Sequence, residues 1–242
     1  MEKTFGVKEI FGVPFQKAII NVVNKISVRD IELPVKILGE YTGNNKLYPN
    51  YTKNLLREMV ANCVAHQDYG KRSRIRVIEA IHKTIDLINA GVSIYPKEEL
   101  EKFTTGENIP DDYRNEFLVN AMIEIGLMEA KGTGYNKLFK YNTKEVYLPL
   151  PTINWENKTH FEVKLYGASL DEKFAEILQQ KTELEPEAIL LLDQVQKGFS
   201  IDQNIFTKLK NQGLVEGSPT KAAYKWSDYL KTDFDKFPPK SV

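Results

Sequence analysis

The feature that most constrains this chain is a helix-forming run followed closely by two β-rich runs with almost nothing between them. In YPNYTKNLLREMVANCVAHQDYG, turn residues lead into apolar side chains at helical spacing: Leu55, Leu56, Met59, Val60, Cys63 and Val64. The runs RIRVIEAI and TIDLINAG that follow are separated only by His82 and Lys83 and end at Gly91. So short a link fits a hairpin, because parallel neighbours need a crossover of a dozen residues or more. An amphipathic helix beside such a hairpin buries its apolar face on the sheet. The expectation is an α+β fold with helices on one face of a mainly antiparallel sheet.

Around this nucleus, helical spacing over 14–28 and alternation over 33–38 predict an opening helix and a short strand. A loop holding Pro96 and Pro110 leads to a helix from about Arg114 to Gly126, then to EAKGTGYNKLFKY, a glycine turn that opens another helix. Between 145 and 166, VYLPLPTINW and HFEVKLYG read as two closing strands. Composition shifts near Ala168. Helical segments at about 170–181, 185–197 and 201–211 are followed by GLVEG, a turn at SPT, and AAYKW. Three short helices and a two-stranded wing is the winged-helix order. Val195, Ile201, Ile205, Phe206, Leu209, Leu214 and Trp226 are its expected core. A length of 242 residues suits two domains, and the divisions read from the sequence are 1–167, 168–232 and a frayed tail at 233–242.

Composition narrows the function classes. The 33 basic side chains balance the 33 acidic ones, so overall charge does not single out nucleic acid as a partner. Cys63 is the only cysteine, which excludes an intramolecular disulfide and a multi-cysteine zinc site within the chain. No run approaches the roughly 18 apolar residues of a membrane span, and the first residues lack the apolar core of a signal peptide. These features predict a cytoplasmic protein with no membrane partner. No G-x-x-x-x-G-K-[ST] loop occurs, so a P-loop motor is excluded.

On the first strong helix, Glu58, Asn62 and His66 are spaced four residues apart, with Asp68 beyond them. Such a row can set a carboxylate near a water and a carboxamide oxygen near a metal, the groups an ATP site needs beside its phosphates. Polar residues at such spacing are, however, common on helix faces exposed to water, and by itself the row fits that reading better. Downstream lie Asn89-Ala90-Gly91 and Gly132-Thr133-Gly134, turns whose glycines let backbone N–H groups approach a phosphate closely.

The strings REMVANCVAHQDYG, IDLINAG and RNEFLVNAMIEIGLMEAKGTGY, together with the terminal helical segment, resemble the C-terminal region of RecG-related ATP-binding transcriptional regulators. The resemblance spans roughly residues 10–230; members commonly carry an AlbA- or Schlafen-like domain ahead of this region. It implies a two-layer α/β sandwich of GHKL-like type followed by a winged-helix domain, with ATP and magnesium as ligands. By the same resemblance Glu58 polarises water, Asn62 holds the metal, and Asn89 and Gly91 meet adenine. Arg114 and Asn115 match the family's Arg-Asn pair, and Gly132, Thr133 and Gly134 form the phosphate lid. His66 reads as structural. Two positions depart from the GHKL pattern: Asn89 replaces the aspartate that accepts from the adenine amino group, and Ser93 replaces a glycine. An asparagine oxygen accepts without the charge that strengthens such a bond.

In the last segment, Gln203, Asn204, Lys208 and Lys210 on the third helix and Lys221 on the wing suit base-edge and phosphate contacts. Residues 170–242 nevertheless carry 10 basic and 12 acidic side chains, a balance that opposes a phosphate partner. Two functions follow. One is a nucleotide-sensing transcriptional regulator that meets DNA through the winged helix and has, at most, slow ATPase activity. The other is a protein-interaction or self-association module whose ATP site has decayed.

Overall fold

The computed structural model describes residues 13–37, 40–110, 112–129, 133–154 and 157–224. Gly132, Trp226 and the tail at 233–242, all named above, lie outside the described residues. Helix α1 (Phe15–Lys25) leads into a hairpin of β1 (Asp30–Ile37) and β2 (Glu40–Pro49), then α2 (Lys53–His66). A 3₁₀ turn (Tyr69–Lys71) precedes β3 (Arg76–Ala80) and β4 (Thr84–Ala90). Three helices follow: α3 (Lys97–Thr105), α4 (Glu116–Glu124) and α5 (Gly134–Lys140), the last continuing into a π-helical turn (Tyr141–Glu145). Strands β5 (Thr152–Ile153) and β6 (His160–Tyr166) complete a four-stranded antiparallel sheet in the order β3-β4-β6-β5. Helices α6 (Glu172–Gln180), α7 (Pro186–Gln196) and α8 (Gln203–Asn211) and the hairpin β7 (Val215–Ser218) and β8 (Lys221–Tyr224) end the described chain. The protein is α+β, and among the described residues no helix is long and apolar enough to cross a membrane.

The register explains why α2 lies where it does. Val77 pairs with Leu87, Leu87 with Val163 and Val163 with Ile153, giving an apolar row across all four strands on one face. Leu56, Met59, Val60 and Cys63 of α2 join that row in one core with Ile85, Leu165, Val119 and Met122. The helix starts where the Thr52 hydroxyl accepts from the Leu55 N–H at 3.1 Å. Its far end is held by a residue distant in sequence: the Asn115 amide donates to the Ala65 and Gln67 carbonyls, both at 2.8 Å. These are carbonyls near the helix end that lack an intrahelical partner.

Three expectations change. The loop expected after Gly91 contains α3, started after Pro96 and stopped at Gly106 in the left-handed region. Strand β2, which no expectation covered, runs on through Tyr48 and Pro49, so the turn expected before α2 is confined to Asn50 and Tyr51. Most of VYLPLPTINW is not strand: Tyr147 sits at φ 53°, Val146, Leu148 and Leu150 are buried, and only Thr152–Ile153 pairs with β6.

A second core gathers Phe174, Ile177, Leu178, Ile189, Leu192, Val195, Ile201, Phe206, Leu209 and Leu214 with Phe139 and Leu150 from the first region. Of the core residues read from the sequence, Ile205 is only partly buried. The seam is pinned by a buried ion pair on α7, Asp193 with Lys197, each side chain 6% exposed. Asp193 Oδ1 accepts from the Leu150 N–H at 2.9 Å and Lys197 Nζ donates to the Leu150 carbonyl at 2.7 Å. Both backbone groups of one linking residue are thereby satisfied inside the protein.

Candidate functional site

The row Glu58, Asn62 and His66 does not face open water. It lines a small, open-mouthed cleft with a cavity volume of about 50 Å³. Glu58 is 9% exposed, and Asn62 and His66 are half-buried. The same cleft is lined by the loop Val92–Tyr95, Leu100 and Phe103 of α3, Pro110 and Tyr113, Gly134 and Tyr135 of α5, and Phe161 of β6. The polar residues thus occupy one wall of a chamber that is otherwise apolar and aromatic.

The approach of α5 to α2 is close. A Cβ on Gly134 would sit 2.8 Å from Glu58 Cγ, 3.3 Å from its Oε1 and 3.4 Å from Asn62 Nδ2. Only a glycine lets this backbone come so near the two side chains. Thr133 precedes α5 without capping it. Its hydroxyl bonds the Glu129 carboxylate, which also pairs with Lys137. Gly132 lies outside the described residues.

Asn89 lines a smaller chamber directly behind the cleft, shared with Asn62, His66, Tyr135 and Phe161. It is 2% exposed, and its amide nitrogen donates to the His66 and Ala90 carbonyls at 3.3 and 3.2 Å. Gly91, at φ 98°, is among the lining residues of neither chamber; its Cα side is covered by the Arg114 guanidinium and the Asp68 side chain. Arg114 donates to the Val92 carbonyl at 2.6 Å. Both hydrogens of the Asn115 amide are given to the end of α2. Of the residues read from sequence, Glu58, Asn62 and Gly134 meet at one point, Asn89 stands behind them, and Gly91, Arg114 and Asn115 brace the surrounding turns.

Burial sets the electrostatics. It pushes the Glu58 carboxyl above the usual carboxylate range, helped by the neighbouring Glu129 charge and opposed by a hydrogen bond from the Glu129 backbone. A carboxylate raised in this way is a better proton acceptor near neutral pH. His66 is pushed down to about 4 by burial and by the Arg114 charge, so it is neutral at pH 7. Its ring lies 5.5 Å from that of Tyr113. A proton-carrying role for His66 is poorly served by such a site.

Sequence reasoning did not find the aromatic walls: Tyr95, Phe103, Tyr113, Tyr135 and Phe161 come from five separate segments. It also missed Gln67, 1% exposed, whose Oε1 accepts from the Ala90 N–H at 2.8 Å and whose Nε2 donates to the Ser73 carbonyl. Gln67 thereby ties the end of α2 to the end of β4. Among the described residues no cluster of three or more His, Cys, Asp or Glu is placed to hold a metal.

The residues read for DNA contact, Gln203, Asn204, Lys208 and Lys210 on α8 and Lys221 on β8, are all exposed. Lys210 Nζ lies 5.7 Å from the Phe206 ring centre.

No family model matches this chain, and no curated protein does. Among solved structures, the DIP2311 protein from Corynebacterium diphtheriae is similar, at 14% identity over 90% of this chain with a TM-score of 0.46. The chain spans 46% of that protein's length.

Proposed function

We propose that the protein is a nucleotide-sensing regulator of the RecG-related, GHKL-like kind, with Mg-ATP held in the cleft between α2 and the start of α5. The observation that carries this reading is the close meeting of Glu58, Asn62 and Gly134 in a half-enclosed chamber. Asn62 would hold the magnesium and the backbone at Thr133 and Gly134 would approach the phosphates. Magnesium, when bound, neutralises phosphate charge. Glu58 orients and accepts a proton from water, and the aromatic walls exclude bulk solvent. Helices α6 to α8 with the β7-β8 hairpin act as a winged helix that meets DNA or a second subunit.

The test is a melting curve with millimolar Mg-ATP. A ligand bound only by the folded protein raises the melting temperature in step with its saturation. The second reading, a non-catalytic interaction module, draws support from Asn89 and Asn115, whose amide nitrogens already serve backbone carbonyls, and from Gly91, which is covered by Arg114. An unchanged melting temperature favours that reading.

A further inference from the structure

Basic side chains crowd the segment that leaves α2. Four of the six residues from Lys71 to Arg76 are cationic, Lys71, Arg72, Arg74 and Arg76, in a protein whose total charge is zero. All four are exposed. Lys71 is held in place, its Nζ donating to the Thr159 carbonyl at 3.4 Å and lying 3.8 Å from Asp68. Among the described residues, none of the three arginines has a carboxylate within 4 Å.

The backbone presents this set deliberately. Asp68 caps the 3₁₀ turn by accepting from the Gly70 N–H at 3.1 Å, and Arg72 ends it at φ 48°, an unusual conformation for a residue with a side chain. Ile75 and Val77 pack against the core, which leaves Arg74 and Arg76 on the solvent side. Two residues apart on extended chain, they are about 6.6 Å apart. Compensation of the end of α2 does not require these cations, because Asn115 already serves its last carbonyls. Ordinary solvated surfaces interleave both signs of charge. Residues 69–78 carry four cations and no acidic side chain, although Asp68 and Glu79 flank them.

We propose that residues 71–76 seat a nucleic-acid phosphate backbone, independently of α8. Guanidinium groups match phosphate oxygens in paired hydrogen bonds, and three unpaired arginines outweigh Lys208 and Lys210, which sit in a segment with an acidic excess. The inference does not rest on nucleotide binding in the cleft, and its test uses none of the cleft residues.

The experiment measures binding of a short DNA duplex of arbitrary sequence by fluorescence anisotropy at several salt concentrations between about 50 and 200 mM, where phosphate contacts show most clearly. The parent chain is compared with R72A/R74A/R76A, R72K/R74K/R76K and K208A/K210A. The expected result is that the alanine triple variant weakens binding about tenfold or more at low salt and lowers the logarithmic salt slope by about two to three, roughly one per lost contact. The lysine triple variant keeps the slope, which separates lost charge from lost fold. The proposal is overturned if the parent does not bind at low salt or if the alanine triple variant binds as the parent does. It is also overturned if polyglutamate or phosphatidylserine vesicles bind the parent as tightly as the duplex.

Discussion

Replacing Asp193 by Ala is expected to be among the most damaging single changes outside the apolar cores. Asp193 and Lys197 are each 6% exposed at the seam where α7 meets Leu150. Asp193→Ala removes the counter-charge from a buried ammonium, for which about 3–5 kcal/mol is typical. It also strips the Leu150 N–H of its acceptor, and a buried donor without a partner costs about 1–3 kcal/mol. These costs overlap, so the expected total is about 4 kcal/mol, a large share of the 5–15 kcal/mol by which folded domains are usually stable. Lys197→Met is expected to cost less, about 2–3 kcal/mol. The Asp193 carboxylate keeps the Leu150 N–H and the Gln196 amide at 2.9 and 2.8 Å, and burial already pushes its carboxyl upward toward the neutral form. The double variant D193A/K197M should cost clearly less than the two single costs together. The assay is urea denaturation of all four proteins read as a double-mutant cycle, with a coupling of about 2 kcal/mol expected. Additive effects, or single costs below about 1 kcal/mol, would show that the pair does not hold the seam.

The buried, neutral His66 gives a pH signature. Its folded pKa of about 4 lies below the unfolded value of 6.5, so the unfolded chain binds the extra proton between those values. Stability should therefore fall as pH drops from 7 toward 4, by about 2–3 kcal/mol from this group, and His66→Gln should flatten that part of the curve. Asn115→Ala, which leaves the Ala65 and Gln67 carbonyls without these donors, should cost about 1–2 kcal/mol in chemical denaturation. Any phosphate release from ATP should be slow and should disappear in Glu58→Ala while persisting in His66→Ala; the opposite pattern refutes the assigned roles. Phe117, 90% exposed on α4, should tolerate Ser within about 0.5 kcal/mol.

Elements with strong periodicity were legible from sequence: α2, the β3-β4 hairpin, β6 and the three helices beyond Ala168. Those that failed did so for physical reasons. Helix α3 has only Leu100 and Phe103 buried in KEELEKFTT, too short an apolar stripe to register, although Pro96 and Gly106 mark its ends. VYLPL has strand-like composition, but Tyr147 turns to positive φ and the buried residues serve the second core, a tertiary choice no local pattern encodes. The Glu58-Asn62-His66 spacing by itself favoured a solvated face over a site; side chains of α3, a helix not foreseen, line one cleft with that row. The aromatic walls left no trace because they are assembled from five segments. Gly91 and the Arg114-Asn115 pair were singled out through the family resemblance; in the structure Gly91 is covered by Arg114, which donates to the Val92 carbonyl, and Asn115 serves the end of α2.

The central claim is that Asn62 and its neighbours form a nucleotide site, and calorimetric titration of Mg-ATP into the parent chain and Asn62→Ala tests it most directly. Saturable heat is expected for the parent, abolished or weakened at least about tenfold in Asn62→Ala, which corresponds to about 1.4 kcal/mol or more of lost binding. No saturable heat from the parent at millimolar Mg-ATP, or equal affinity in the two proteins, would contradict it.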